Sequence, residues 1–158
     1  MQQVTQRIPA RLQTAQLPVT YRIPLKGIKF STNKIYAGIH WAQRKSIKDS
    51  ITGYAGVFCR PIAAIASYPV SIRYQFVFGS QPLDTLNTAA MAKMFEDAFR
   101  ALGILEDDDP AHVAQSILEV TRINRSKAAK VHGASRAKGH AQDEDYLEIT
   151  INEYATKE

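Results

Sequence analysis

Between positions 84 and 109 the chain carries an Asp-x-x-Asn, from Asp84 to Asn87, then Lys93, then the acidic run Glu106-Asp107-Asp108-Asp109. Hard divalent cations take oxygen ligands, and carboxylates gathered in one place repel one another unless a cation sits between them. In an otherwise basic chain this grouping reads as a magnesium site directed at phosphate. Each member also has a plainer reading. Asp84 stands where a helix can begin, so its side chain either caps the backbone N–H groups of Thr85 to Asn87 or points away as a ligand. Lys93 is either a cation placed near a phosphate or the solvated side of its helix. Asp107, Asp108 and Asp109 are either ligands or a polar turn ahead of Pro110.

Positioning these groups falls to the segment between the two acidic clusters. Met91, Met94, Phe95, Ala98, Phe99 and Leu102 recur at three- and four-residue spacing, which predicts an amphipathic helix closed by Gly103 as its C′ residue. Lys93 and Glu96 lie off the deepest part of that apolar stripe. Ahead of the helix, Val70, Ile72, Tyr74, Phe76 and Phe78 alternate with Ser71, Arg73 and Gln75, the pattern of a strand that hands the chain through Gly79 and Pro82 to Asp84. Behind the acidic run a third strand is expected around Val113 to Ile123. A first strand is expected at Val19, Tyr21 and Ile23, ending at Pro24, and a last one at Leu147, Ile149 and Ile151.

Lys26, Lys29 and Lys34 punctuate a stretch holding Gly27, Ser31, Thr32, Asn33 and Gly38, read as a basic loop too rich in turn formers for a regular element. From His40 a helix with a cationic face runs through Trp41, Arg44, Lys45, Ile47, Lys48, Ile51 and Tyr54, weakened at Gly53 and stopped by Pro61. The sum is an α/β single domain, a mixed β-sheet packed against helices in the order β-α-β-α-β-β.

With 158 residues, 45% hydrophobic and 22% charged, the chain suits one core and one domain. Residues 1–17 read as a flexible tail and 18–153 as the folded domain. The formal net charge of +5 favours a polyanionic partner. A single cysteine, Cys59, excludes an intramolecular disulfide and a thiolate metal site, which suits a reducing, cytoplasmic setting. No apolar run approaches the roughly 20 residues of a membrane span, and the polar stretch from Met1 to Gln16 lacks the apolar core of a secretory signal. Residues 124–142 hold Arg125, Lys127, Lys130, Arg136 and Lys138 with no acidic residue, and have too little apolar surface to offset the entropy of ordering. That basic segment reads either as a solvated mobile loop or as an arm that orders on DNA by releasing counterions. His112, His132 and His140 lack the spacing of zinc ligands.

Several of these stretches together resemble a known family. Asn33-Lys34-Ile35-Tyr36, His40-Trp41-Ala42-Gln43-Arg44-Lys45-Ser46-Ile47-Lys48-Asp49, Asp84-Thr85-Leu86-Asn87, Lys93, Asp97 and Gly103-Ile104-Leu105-Glu106-Asp107-Asp108 are similar to the RusA-type Holliday junction resolvases of phages and prophages. The resemblance covers most of the chain from about Val19 to Asn152. It implies a RusA-like fold and a homodimeric, magnesium-dependent endodeoxyribonuclease, with manganese as an alternative ion. Such an enzyme serves DNA recombination and repair by cutting four-way junctions symmetrically, in the cytoplasm of a prokaryotic or phage-infected cell.

In that family an Asp-x-Asp-Asn element, a lysine on the following helix and an Asp-Asp pair form the site. Carried onto this chain, the resemblance implies Asp84, Lys93, Asp107 and Asp108 as catalytic residues, with Asp84, Asp107 and Asp108 as metal ligands and Asn87 in support. Lys26, Lys29, Lys34, Arg44, Lys45 and Lys48 are then expected to contact DNA phosphates, together with Arg125, Lys127 and Lys130 of the basic segment. Gly103 to Asp108 matches its half of the pattern. The first half departs from it: Leu86 stands where the second carboxylate belongs, and anchoring on Lys93 instead puts Asn87 and Ala89 at the two acid positions. That departure keeps open a branched-DNA binder that does not cut. An RNA-binding accessory protein would account for the charge but not for the acidic run. Trp41 is expected to anchor its helix in the core rather than to stack on a base.

Overall fold

Nine alternating residues, Val70–Phe78, make the strand around which the sheet is built (β4). The computed structural model describes residues 12–26, 28–79, 81–123 and 145–155. Before β4 come β1 (Gln13–Thr14), β2 (Val19–Pro24), α1 (Thr32–Ala37), α2 (Trp41–Phe58) and β3 (Ala63–Ala64). After it come a 3-10 turn (Thr85–Thr88), α3 (Ala89–Ala101), β5 (Val113–Arg122) and β6 (Tyr146–Glu153).

The main sheet has the order β2-β6-β4-β5 and is mixed: β6 runs antiparallel to both β2 and β4, while β5 runs parallel to β4. A parallel pair needs a crossover, which the 3-10 turn and α3 supply. Register lines up rows of side chains across all four strands. Tyr21, Ile149, Tyr74 and Leu118 form one row, and Ile23, Leu147, Phe76 and Val120 form the next. Because successive side chains alternate faces, these rows share the side of the sheet that α3 covers. Tyr21 meets Phe99 of α3 edge-on at 5.6 Å between ring centroids. The opposite face carries polar pairs such as Thr20 with Thr150 and Arg73 with Glu119. The result is one α/β domain, with the core between the sheet and its helices.

The strands expected at β2, β4, β5 and β6 and the helices expected at α2 and α3 all form. Three local features differ from expectation. The stretch expected as a basic loop contains α1, because Ser31 accepts a hydrogen bond from the Lys34 backbone N–H and so caps a short helix. The stretch expected as a tail up to residue 17 includes Gln13–Thr14, which pair in parallel with Ala63–Ala64. Trp41, expected in the core, is 67% exposed. It occupies the first turn of α2, where the buried positions are Ile51 and Ala55 farther along. The basic segment 124–142, with Arg125, Lys127 and Lys130, lies outside the described residues. No helix among the described residues is long and apolar enough to cross a membrane.

Gly103 closes α3 with φ +73, the left-handed conformation that L side chains resist. A Cβ there would stand 3.0 Å from Leu12 Cδ1, a flexible end that can give way, so backbone strain dominates. Gly103→Ala is expected to lower the unfolding free energy by about 1 kcal/mol, read from urea denaturation.

Candidate functional site

The acidic groups sort into two neighbourhoods. Asp84 precedes the 3-10 turn in extended conformation and makes no side-chain cap bond. Its Oδ2 instead accepts from Asn87 Nδ2 at 3.3 Å, and its backbone carbonyl accepts from the Asn87 N–H at 2.9 Å. Leu86, two residues after Asp84, is 82% exposed.

The second neighbourhood is built by α3 and the loop that follows it. Lys93 points its ammonium among three carboxylates: Glu96 Oε1 at 3.2 Å, Asp97 Oδ1 at 3.3 Å, and Asp108 Oδ2, to which it donates directly. The first two are placed by helix geometry, since residues three and four apart are neighbours on one face. Asp108 arrives because Gly103 turns the chain back along the helix. One turn after Glu96, Arg100 reaches the same loop, with Nε 3.1 Å from Asp107 Oδ1 and one terminal nitrogen 3.0 Å from Asp108 Oδ1. From α2, Lys48 closes the other side at 2.7 Å from Asp97 Oδ2.

Glu96 is the deepest member, 9% exposed. The hydroxyls of Tyr74 on β4 and Ser116 on β5 donate to its Oε2 at 3.1 and 3.4 Å. Both strands of the parallel pair therefore hold the carboxylate that α3 lays against them. The expectation that Glu96 lies off the buried face is corrected here. It falls one residue after Phe95 and three before Phe99, so it shares their inward side, and three polar partners make its burial tolerable.

Asp109 does different work from its neighbours. Its Oδ1 accepts from the backbone N–H groups of Ala111 and His112 at 3.0 Å each and meets His112 Nδ1 at 2.7 Å. It is the turn former of the run, and only Asp107 and Asp108 face α3.

Charge states follow from these contacts. The hydrogen bond from Lys93 holds the Asp108 carboxyl below its usual range, with the nearby charges of Lys93 and Arg100 adding to the effect and partial burial opposing it. Burial works against the Lys93 charge, but Asp108, Glu96 and Asp97 outweigh it and hold the ammonium above its ordinary range. Burial pushes the Tyr74 hydroxyl well up, helped by Glu96. Asp108 and Lys93 are therefore an ionised pair at neutral pH, with the Lys93 side chain 44% exposed.

Three of the expected site residues, Lys93, Asp107 and Asp108, are thus brought together. Asp84 is not tied into that network. Among the described residues no three His, Cys, Asp or Glu side chains gather in a group that could hold a metal ion. The carboxylates as placed converge on ammonium and guanidinium groups, and that donor set does not fit a divalent ion.

Of the expected phosphate contacts, Lys48 is turned to Asp97, Lys45 pairs with Asp49 at 3.4 Å, and Lys29 donates to the Gln81 carbonyl. Lys26 and Lys34 are exposed and Arg44 is half-buried. Sequence reasoning missed Glu96, Arg100, Tyr74, Ser116 and the Lys48–Asp97 link. Only the Lys93/Glu96 spacing carried a local signal for them. No protein-family model matches this sequence, and no curated protein matches it at a significant level.

Proposed function

We propose that this chain is a structure-selective endonuclease that cuts four-way DNA junctions, acting as a homodimer. The observation that supports this reading is the meeting of Glu96, Asp97 and Asp108 on the half-exposed Lys93 ammonium, with Arg100 and Asp107 beside it. A phosphodiester arriving there finds two cations whose present partners are carboxylates. Its oxygens compete with Asp108 for Lys93 and Arg100, and positive charge fixed at that place stabilises the charge that builds up during hydrolysis. Glu96, held by Tyr74 and Ser116, fixes the Lys93 side chain from below and so positions its charge. No step is assigned to a metal ion, because the carboxylates as placed do not form a group for one.

A second reading has its own support. With Leu86 exposed at the missing acid position and Asp84 engaged by Asn87, the same fold serves as a binder of branched DNA that does not cut.

The test is incubation of a labelled synthetic four-way junction with purified protein in magnesium, in manganese and in chelator, beside a linear duplex and the Lys93→Met variant. Paired symmetric nicks are expected, formed about 10²- to 10³-fold more slowly by Lys93→Met. Tight junction binding with no cut in either ion establishes the second reading, and absence of both cutting and junction preference removes the two together.

A further inference from the structure

Trp41 is the only tryptophan of the chain, and on the first turn of α2 it is 67% exposed. Trp is usually among the more buried side chains, and leaving most of an indole in water forgoes the burial of a large apolar area. His40 lies beside its ring, 5.6 Å away between centroids and tilted by 41°.

Two concavities meet along α2 at Ser46 and Ser50. One is an open shelf of about 460 Å³ bounded by Trp41, Lys45 and Asp49. The other is a cleft of about 440 Å³ between α1 and α2, with Phe30, Ile35, Ile39, Ile47 and Tyr54 among its lining and Lys34 at its edge. Ser46 and Ser50 line both, so shelf and cleft form one continuous surface along α2. Lys29, Lys34 and Lys45 border that surface, and Asp49 is its one acidic residue among those described. An exposed aromatic face, an apolar recess and a cationic border are the parts with which proteins hold single-stranded nucleic acid, where bases stack and phosphates meet lysines.

We propose that this surface binds unpaired nucleotides of a DNA strand, one base stacking on Trp41 and its neighbour entering the α1–α2 cleft. A paired base inside a duplex offers no free π-face to Trp41, so the feature recognised is a strand opened at a branch or left single. The inference rests on the DNA-binding reading above and names the part of the DNA that this face selects.

The indole is its own reporter. The full-length chain is titrated with a fluorescein-labelled oligothymidylate of about eight nucleotides, with a blunt duplex and with a four-way junction. Tryptophan emission and label anisotropy are followed together, for wild type, Trp41→Ala and Trp41→Phe. The single strand is expected to raise anisotropy and quench the tryptophan in wild type. Its affinity is expected to fall about five- to a hundred-fold in Trp41→Ala and to be largely kept in Trp41→Phe, while duplex affinity is unchanged.

Single-strand binding with unmoved emission and no loss in Trp41→Ala would overturn the inference and leave the nuclease reading intact. Anisotropy unmoved by all three DNAs would remove both. Emission that shifts with protein concentration in the absence of DNA would assign the face to a second copy of the chain, and the inference fails.

Discussion

Lys93→Met is expected to lower the unfolding free energy by about 2 kcal/mol at pH 7, and to lose most of that deficit as the pH falls below about 4. The ammonium is the shared partner of Glu96, Asp97 and Asp108. Removing one partner of a fully buried pair costs roughly 3–5 kcal/mol, because the remaining charge is stranded. Lys93 is 44% exposed, so water screens part of the loss, and Arg100 and Lys48 still hold Asp108 and Asp97. About half of the buried figure is the reasonable expectation.

The pH dependence follows from the two shifts. The Asp108 carboxyl is depressed in the folded state, so its contribution is present above the unfolded value of about 3.9 and is lost as pH falls through the folded one. Lys93 is raised, so its contribution is present below about 10.4 and is lost as pH rises through its folded value. Between those limits both charges are formed, and the variant's deficit is greatest there. Urea denaturation of both proteins at pH 7 and at steps downward from pH 4 reads the difference. A deficit within about 0.5 kcal/mol at pH 7 would reduce the cluster to an ordinary surface salt bridge. If the chain cuts junctions, the same variant is expected to do so about 10²- to 10³-fold more slowly, the scale of losing one charge-stabilising donor.

What the sequence made legible was periodic, and what it hid was tertiary. Alternation in β4 and β6 and the three- and four-residue stripe of α3 are local consequences of backbone geometry, so those elements were readable from one stretch at a time. Asp107 and Asp108 could be placed near Lys93 because a helix and its C′ glycine fix the return of the chain. Glu96 could not be placed, because its burial depends on hydroxyls from β4 and β5, twenty or so residues away on either side. Lys48 looked like one more solvated cation of α2 until α3 brought Asp97 to it. Trp41 was expected inside on residue type alone, and the crossing of α2 over the core begins too far along the helix to cover it.

Cys59→Ala is expected to destabilise the protein modestly at pH 7 and to stabilise it at high pH, the two unfolding curves crossing near pH 10. The thiol is fully buried at the end of α2, and burial pushes its pKa up to about 12 from 9.0. A raised folded value means the contribution of the neutral thiol is fully present below the unfolded pKa. It is lost as pH rises from 9 through 12, because only the unfolded chain can release that proton cheaply. At about 1.4 kcal/mol per unit, the whole loss amounts to about 4 kcal/mol. Alanine removes the thiol at the cost of a small cavity, about 1 kcal/mol, and that cost is offset within the first unit above pH 9.

Tyr21 and Tyr74 are also raised by burial and steepen the alkaline limb of both proteins. The thiol is therefore read from the difference between them, in guanidinium titrations at pH 7, 9 and 10.5 under reducing conditions. Parallel curves across that range would mean that the thiolate is accommodated in the folded state. A buried, un-ionised thiol also makes a poor nucleophile, so the activity proposed for this chain is assigned to the groups around Lys93 and not to Cys59.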